Sequence, residues 1–221
     1  MAKLIFYDDE HIYELDGENI PSVSELSRFA SREIYGDVSQ YNLDNACARG
    51  SNVHKATELI DKYGTAEISD DIEPYIRAYI DFRKDYKIKN FIAIEKALAS
   101  EKMKFAGTLD RVVPIDEHFV EMVNKQCKID LSDKIGKGAI IDIKSSSKVQ
   151  NVLAQIQLNA YKYLAEENNI SEIGALFILH LDKEGKYKMI YFPIDDVLFK
   201  CCYTLHYALK TKKKSNKSKE K

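Results

Sequence analysis

The chain has 221 residues, of which 45% are hydrophobic and 31% charged, and its net charge is −2. This length and composition allow one well-filled domain or two small ones. No apolar stretch approaches the roughly 20 residues that span a bilayer, and acidic residues follow the N-terminus at once, which is unlike a signal peptide, so we expect a cytoplasmic protein.

The first half of the chain alternates short strands and helices. Residues 3–17 predict two short strands with a turn near residues 8–10. Ser22, with Glu25 three residues later, has the spacing of a capping box that opens a short helix. Helical periodicity then predicts helices over residues 44–63 and 69–86.

The second half predicts a sheet with a few helices. We predict strands at residues 91–101, 105–115, 118–123, 138–144, 174–181 and 186–194, and helices at 149–168 and from 195 to 210. The stretch 130–138 has the composition of a loop. This order predicts an α/β fold, with residues 1–209 forming a single domain whose central mixed β-sheet is flanked by helices.

A lysine-rich tail closes the chain. Residues 210–221 hold seven lysines and one glutamate, a charge of +6, which leaves −8 on the rest of the chain. Such a segment is expected to be disordered and solvated. It could also bind a polyanion such as DNA.

Polar groups interrupt the apolar strand at residues 138–144. Asp142 and Lys144 project from the same face, which in isolation indicates only a salt bridge on a solvated strand. Asp110, however, is also flanked by apolar neighbours on a predicted strand. Two carboxylates on adjacent strands would repel each other without a cation, and Mg²⁺ or Mn²⁺ prefers such oxygen ligands.

Other polar residues occupy positions with two interpretations. His54 on its helix is either structural or a ligand, and Glu95 either pairs with a nearby lysine or faces a site. Gln157 and Tyr161, spaced i and i+4, form either a buried hydrogen-bonded pair or part of a pocket. The remaining histidines have no partners at a recognisable spacing, and we interpret them as structural: His11, His118, His180 and His206.

Five motifs in order resemble those of the PD-(D/E)xK nuclease superfamily, and more narrowly its RecB-like branch with phage recombination exonucleases. They are RGSNVH at 49–54, IEKALAS at 94–100, FAGTLDRV at 105–112, IIDIK at 140–144 and QLNAY at 157–161. The segment 11–29 also resembles phage-type members. The resemblance implies a restriction-endonuclease-like core and, for a phage-encoded protein, a location in the host cytoplasm.

The resemblance also implies roles for these residues. The metal ligands would be His54, Asp110, Asp142 and the Ile143 carbonyl, holding one or two Mg²⁺ or Mn²⁺ ions, and the catalytic group would comprise Lys144, Asp142, Asp110, Glu95, Gln157 and Tyr161. Arg49, Arg111 and Arg28 are expected to contact DNA phosphates. Leu109 replaces the proline of the superfamily's name, and an unusually long stretch, 111–141, separates the two acids.

The function implied is a metal-dependent DNA exonuclease that acts on duplex ends in phage-type recombination or repair. An endonuclease or a single-strand-specific nuclease on the same scaffold is one alternative, and a catalytically silent DNA-binding module is another. A single-strand annealing protein could be a partner, and a homo-oligomer could form. We expect no iron–sulfur cluster, because Cys47, Cys127, Cys201 and Cys202 lack suitable spacing and are best read as free thiols.

Overall fold

Five strands form the large sheet of the protein, seen in a computed structural model that describes residues 3–7, 10–36 and 40–217. They are β4 (Ala93–Ser100), β5 (Phe105–Pro114), β6 (Gly138–Lys144), β7 (Ile173–Leu181) and β8 (Tyr187–Phe192). The strands lie in sequence order, antiparallel except for the parallel pair β6–β7. Helix α6 (Asn151–Glu167) makes the crossover that a parallel pair requires. The predicted α/β fold with a mixed central sheet is confirmed.

Helices cover both faces of this sheet. Helices α3 (Gln40–Tyr63), α4 (Glu73–Asp85) and α5 (Glu117–Cys127) share one apolar core with it, while α6 and α7 (Val197–Lys217) share the other. Strand β6 shows why both faces are needed. Its Ile141 and Ile143 belong to the first core and Ile140 to the second, as expected for a strand with alternating side chains and no solvated face.

A second, smaller sheet precedes the large one. Its strands are β1 (Leu4–Tyr7), β2 (Ile12–Leu15) and β3 (Glu18–Ile20), all antiparallel. The first two were predicted and β3 was not; residues 8 and 9 of the predicted turn lie outside the described residues. The sheet packs through Tyr13, Leu15 and Ile20 onto Ala99 and Ala106 of the large sheet, where small side chains allow close approach.

Two short helices, α1 (Val23–Leu26) and α2 (Arg28–Tyr35), follow the small sheet and precede α3 in the chain. The capping box predicted before α1 is present. The Ser22 hydroxyl accepts a hydrogen bond from the Glu25 amide, and the Glu25 carboxylate accepts one from the Ser22 amide, both at 3.1 Å.

Two segments differ from the prediction. The strand expected at 118–123 is wrong, because these residues belong to α5. Asp116 caps this helix by accepting a hydrogen bond from the Phe119 amide at 2.8 Å, and Phe119, Val120 and Val123 form its buried face. Helix α7 continues to Lys217, past the boundary predicted at residue 209, and residues 218–221 lie outside the described residues. The domain boundary itself stays a prediction.

Hydropathy along the described helices sets one further limit. None of the helices in residues 3–7, 10–36 and 40–217 combines the length and apolarity needed to cross a membrane.

Candidate active site

Three carboxylates lie in one row across three adjacent strands. The ladder between β5 and β6 ends at the pair Arg111–Ile141, so Asp110 and Asp142 are the next opposed residues. The register of β4 against β5 places Glu95 opposite Asp110. Glu95 has a φ of 40°, a left-handed conformation that is rare for a residue with a long side chain. The sheet therefore gathers three acids where its regular pairing is interrupted.

His54 on α3 faces two of these acids. Its Nδ1 lies 3.5 Å from Glu95 Oε1 and 3.5 Å from Asp110 Oδ1, and its Nε2 lies 3.1 Å from the Ile143 carbonyl oxygen. Burial disfavours the charged imidazole, but the Asp110 and Glu95 carboxylates outweigh that effect and raise the pKa of His54 to about 9. His54 is therefore an imidazolium at neutral pH, and its two N–H groups donate to the acids and the carbonyl.

Asp110 is fixed by the backbone of the neighbouring strand. Its Oδ2 accepts a hydrogen bond from the Ile143 amide at 2.7 Å, which replaces a ladder bond where the two strands separate. Burial raises the pKa of Asp110 above its ordinary value. One ligand atom each from His54, Glu95 and Asp110 lies within 4.8 Å of the others, close enough for one metal ion to bind all three.

Asp142 and the partly exposed Lys144 form an ion pair beside this group. Asp142 is fully buried, and its Oδ2 lies 2.7 Å from Lys144 Nζ. Its Oδ1 is also buried and has no hydrogen-bond partner among the described residues. Burial is the main cause that raises the pKa of Asp142 to about 6. Burial also disfavours the charged form of Lys144, but Asp142 and Asp110 outweigh it and raise the pKa of the ammonium.

The polar pair on α6 borders the same site. Gln157 Nε2 donates a hydrogen bond to Tyr161 Oη at 2.9 Å. Tyr161 packs over β5 because Gly107 has no side chain, and a Cβ there would lie 2.9 Å from Tyr161 Cε1 and 2.9 Å from Val23 Cγ2. The two interpretations of this pair are compatible, since the residues bond to each other and also line the cleft.

These groups share one open cleft with a volume of about 750 Å³. The predicted site residues that line it are His54, Glu95, Asp110, Asp142, Ile143, Lys144, Gln157 and Tyr161. Sequence reasoning missed other lining residues, including Phe6, Tyr13, Asn52, Ser145 and Ser146. His11, interpreted as structural from the sequence, lines the cleft as well, and its lack of a motif left no signal for this.

The three arginines expected to contact DNA do not converge on the cleft. Arg28 is exposed, lies 3.4 Å from Glu25 and lines a separate groove toward α7. Arg49 lies with its guanidinium 5.7 Å from the centre of the Tyr75 ring. The expectation for Arg111 is wrong, because this residue is 1% exposed and cannot reach a phosphate from the core.

Arg111 instead holds Glu95, one of the three carboxylates in the row formed by Glu95, Asp110 and Asp142, from within the protein core. Its Nη1 donates to Glu95 Oε1 at 2.8 Å, and its Nε donates to Asp61 Oδ2 at 2.6 Å. The Tyr79 hydroxyl donates to the same Asp61 oxygen at 2.5 Å, and Arg83 Nη1 lies 3.0 Å from the other. The lysine partners considered for Glu95 are therefore replaced by a buried arginine, which the sequence pattern did not indicate.

The thiols do not share one position. Cys47 lines the cleft, Cys127 is on α5, and Cys201 and Cys202 are adjacent on α7. All four are free cysteines. The expected absence of an iron–sulfur cluster stays a prediction.

Comparison with protein families assigns the chain to a superfamily. The family model of the PD-(D/E)XK nuclease superfamily matches residues 26–217, which include all three acids and Lys144. The chain is a PD-(D/E)XK nuclease. No curated protein matches this nuclease over its sequence.

Solved structures offer weaker likenesses to this PD-(D/E)XK nuclease. One is a provisionally assigned exonuclease from Eubacterium rectale, with 11% identity, a TM-score of 0.46, and coverage of 85% of this chain and 77% of that one. Another is LHK-Exo in complex with dAMP, with 12% identity, a TM-score of 0.38, and coverage of 91% and 93%. The assignment rests on the family model.

PD-(D/E)XK nucleases use divalent metal ions, and the residues here fit one. Carboxylate oxygens and an imidazole nitrogen are suitable ligands for such ions. The buried Asp142 Oδ1 lacks a donor among the described residues, which is what a carboxylate awaiting a cation would show. Neighbouring carboxylates that repel one another would also be relieved by a bound positive charge.

Proposed function

We propose that this nuclease is a Mg²⁺- or Mn²⁺-dependent DNA exonuclease that hydrolyses phosphodiester bonds from duplex ends. One observation carries the proposal. His54, Glu95 and Asp110 converge within 4.8 Å, next to the Asp142–Lys144 ion pair, on the wall of an open cleft. A catalytically silent binding module would have no need for a lysine paired with a buried carboxylate at this position.

The residues of the site divide the chemistry between them. Asp110, Asp142, His54 and the Ile143 carbonyl would hold the metal, and Glu95, which lies within ligand distance of His54 and Asp110, would join them. A bound divalent ion lowers the pKa of a water molecule and neutralises charge on the phosphate. To act as a ligand, His54 must lose a proton, because the imidazolium has no free lone pair.

Lys144 would act on the attacking water. Its Nζ is held by Asp142 Oδ2 at 2.7 Å, so the amine has a fixed position next to the predicted metal ligands. There the ammonium would orient the water by donating a hydrogen bond to it. Taking the water's proton would require the neutral amine, which the positive charge of a bound divalent ion would favour. The water oxygen would bond to phosphorus while the bond from phosphorus to the 3′ oxygen breaks. The departing 3′ oxygen would take a proton from solvent, which leaves a 5′-phosphate and a 3′-hydroxyl.

The preference for duplex ends rests on the resemblance of five ordered motifs to the phage-type branch. Roles in recombination or repair, a single-strand annealing partner and a homo-oligomer belong to the same proposal. An endonuclease or a single-strand-specific nuclease remains the alternative on this scaffold, and substrate choice separates it from an exonuclease.

The test compares end-labelled linear duplex, single strands and covalently closed circles, with Mg²⁺, Mn²⁺ or EDTA. We expect cation-dependent loss of linear duplex, intact circles, and no cleavage by Asp142→Ala or Lys144→Ala. Lys162→Ala is the control, because Lys162 lies on α6, pairs with Glu166 and does not line the cleft.

Each other outcome has a defined meaning. Cleavage of circles would favour the endonuclease, and cleavage confined to single strands would favour the single-strand-specific enzyme. Binding without cleavage under any cation would favour the silent module. Undiminished cleavage by both Asp142→Ala and Lys144→Ala would refute the assigned roles.

A further inference from the structure

An aromatic cluster lines the same cleft as the acids. Phe6, His11 and Tyr13, from the small N-terminal sheet and its turn, line the same cleft as Asp110 and Lys144. The Phe6 and Tyr13 rings are stacked, with centroids 4.5 Å apart and planes 19° apart. His11 meets both rings edge-on, at 5.5 Å from Phe6 and 5.6 Å from Tyr13. A strand cleaved at the acids would therefore lie beside an aromatic surface.

This cluster is held in a fixed position relative to the acids. Tyr13 is 1% exposed, and its hydroxyl shares a 2.9 Å hydrogen bond with Thr108 Oγ1, two residues before Asp110 on β5. The Ala106 amide of the same strand donates to the Pro21 carbonyl at 3.0 Å. The strand that carries a predicted metal ligand thus also positions the aromatic rings.

The chemistry of the cluster suits a flat, uncharged partner. Tyr13 supports the Phe6 ring, which is half-buried and partly open to the cleft. Bases of nucleic acids stack on such rings, and this contact tolerates any sequence because every base has a π-face. Within a duplex both faces of a base are already stacked on neighbours, so only an unpaired or terminal base gains from the contact.

We propose that Phe6, backed by Tyr13 and flanked by His11, is a nucleobase-binding site that stacks on an unpaired base near the phosphate being cleaved. This inference rests on the proposed function, because it takes a DNA strand as the ligand. It deepens that function by defining the substrate more closely. Besides a phosphate, the DNA must present a base that is unpaired, at a frayed end or in a single-stranded segment.

The experiment measures binding of short single-stranded DNA to the full chain in Ca²⁺, by fluorescence anisotropy. One strand is intact, and the others carry a single abasic site at successive positions. For the wild type we expect one position at which removal of the base weakens binding by about 5- to 150-fold, the range for one stacked base. Phe6→Ala should bind the intact strand that much more weakly and no longer respond to the abasic site.

Two further variants separate the stacking from the fold. Phe6→Leu keeps an apolar side chain against Tyr13 but lacks an aromatic face, so it should lose the response to the abasic site as Phe6→Ala does. Tyr7→Ala is the control, because Tyr7 is the next residue of the same strand, is 44% exposed and does not line the cleft. This variant should bind intact and abasic strands as the wild type does. Mn²⁺ binding, measured by calorimetry, should be unchanged in all three variants.

The inference is overturned if Phe6→Ala and Phe6→Leu distinguish intact from abasic strands as the wild type does. It is also overturned if the wild type degrades DNA in Mn²⁺ but shows no position sensitive to base removal, and the proposed function then survives. A wild-type chain that neither binds nor degrades DNA would refute both.

Discussion

Replacing the buried Arg111 by methionine tests how far this side chain stabilises the fold and holds Glu95 in the site. The substitution keeps most of the side-chain volume but removes the donors that reach Glu95 and Asp61. Both side chains of the Arg111–Asp61 pair are buried, at 1% and 0% exposed, so water cannot replace the lost contact. The variant therefore leaves a buried carboxylate with one fewer partner.

The size of the effect follows from what remains. Breaking a buried ion pair by removing one partner costs about 3–5 kcal/mol. Asp61 retains Arg83 at 3.0 Å and the Tyr79 hydroxyl at 2.5 Å, so we expect the lower end, about 3 kcal/mol. That is a large fraction of the roughly 5–15 kcal/mol by which domains are stable. Adding Asp61→Asn should recover part of the loss, because the buried carboxylate that lost one of its partners is then replaced by a neutral amide.

Urea unfolding at neutral pH measures the free energy of unfolding, and calorimetry measures Mn²⁺ affinity. Arg77→Met is the matched control, because Arg77 lies 3.4 Å from Glu73 on the surface, with both side chains about half exposed. Such a pair contributes about 0–1 kcal/mol. We expect weaker Mn²⁺ binding only in Arg111→Met, since Glu95 loses its anchor. Equal stability losses in the two variants, with unchanged Mn²⁺ binding, would refute the reasoning.

Three further predictions concern packing, charge and metal. Gly107→Ala should destabilise the fold by about 1–3 kcal/mol in urea unfolding, because the added Cβ would lie 2.9 Å from Tyr161. Gly50→Ala is the control and should be neutral or stabilising, because the nearest neighbour of its Cβ would be 4.0 Å away. In EDTA, the free energy of unfolding should fall as the pH rises from 6.5 to about 9. The reason is that the pKa of His54 is higher in the folded chain, so the folded state binds an extra proton in this pH range. His54→Gln should reduce this dependence on pH, and an unchanged slope would contradict the raised pKa. Mn²⁺ should raise the melting temperature of the wild type but not of Asp142→Asn, as scanning calorimetry would show, and an equal rise in both would remove Asp142 from the ligand set.

Local patterns were sufficient for much of the fold. Strand β6 followed by α6, with Gln157 one turn before Tyr161, was predicted because apolar periodicity and i, i+4 spacing are local properties. The capping box at Ser22 and Glu25 was equally local. The segment 118–123 was assigned wrongly because a short apolar run fits the period of a strand as well as that of a helix. The Asp116 cap, which favours a helix, lies outside the segment.

The site was only partly predictable, because local patterns do not show which residues distant in the chain pack together. Order and spacing of the motifs indicated His54, Asp110, Asp142 and Lys144, and these residues do share one cleft. They did not indicate that Arg111 is buried, because an arginine on a strand can face solvent or core, and only its packing partners decide.

The sequence alone determined the kinds of elements and the chemical groups that they carry, since both depend on neighbouring residues. Tertiary structure decided the register of β4, β5 and β6 that aligns three carboxylates, and the docking of the small sheet that brings Phe6 and His11 to them. Register depends on contacts between residues far apart in the chain, and a shift by one residue would turn every side chain to the opposite face.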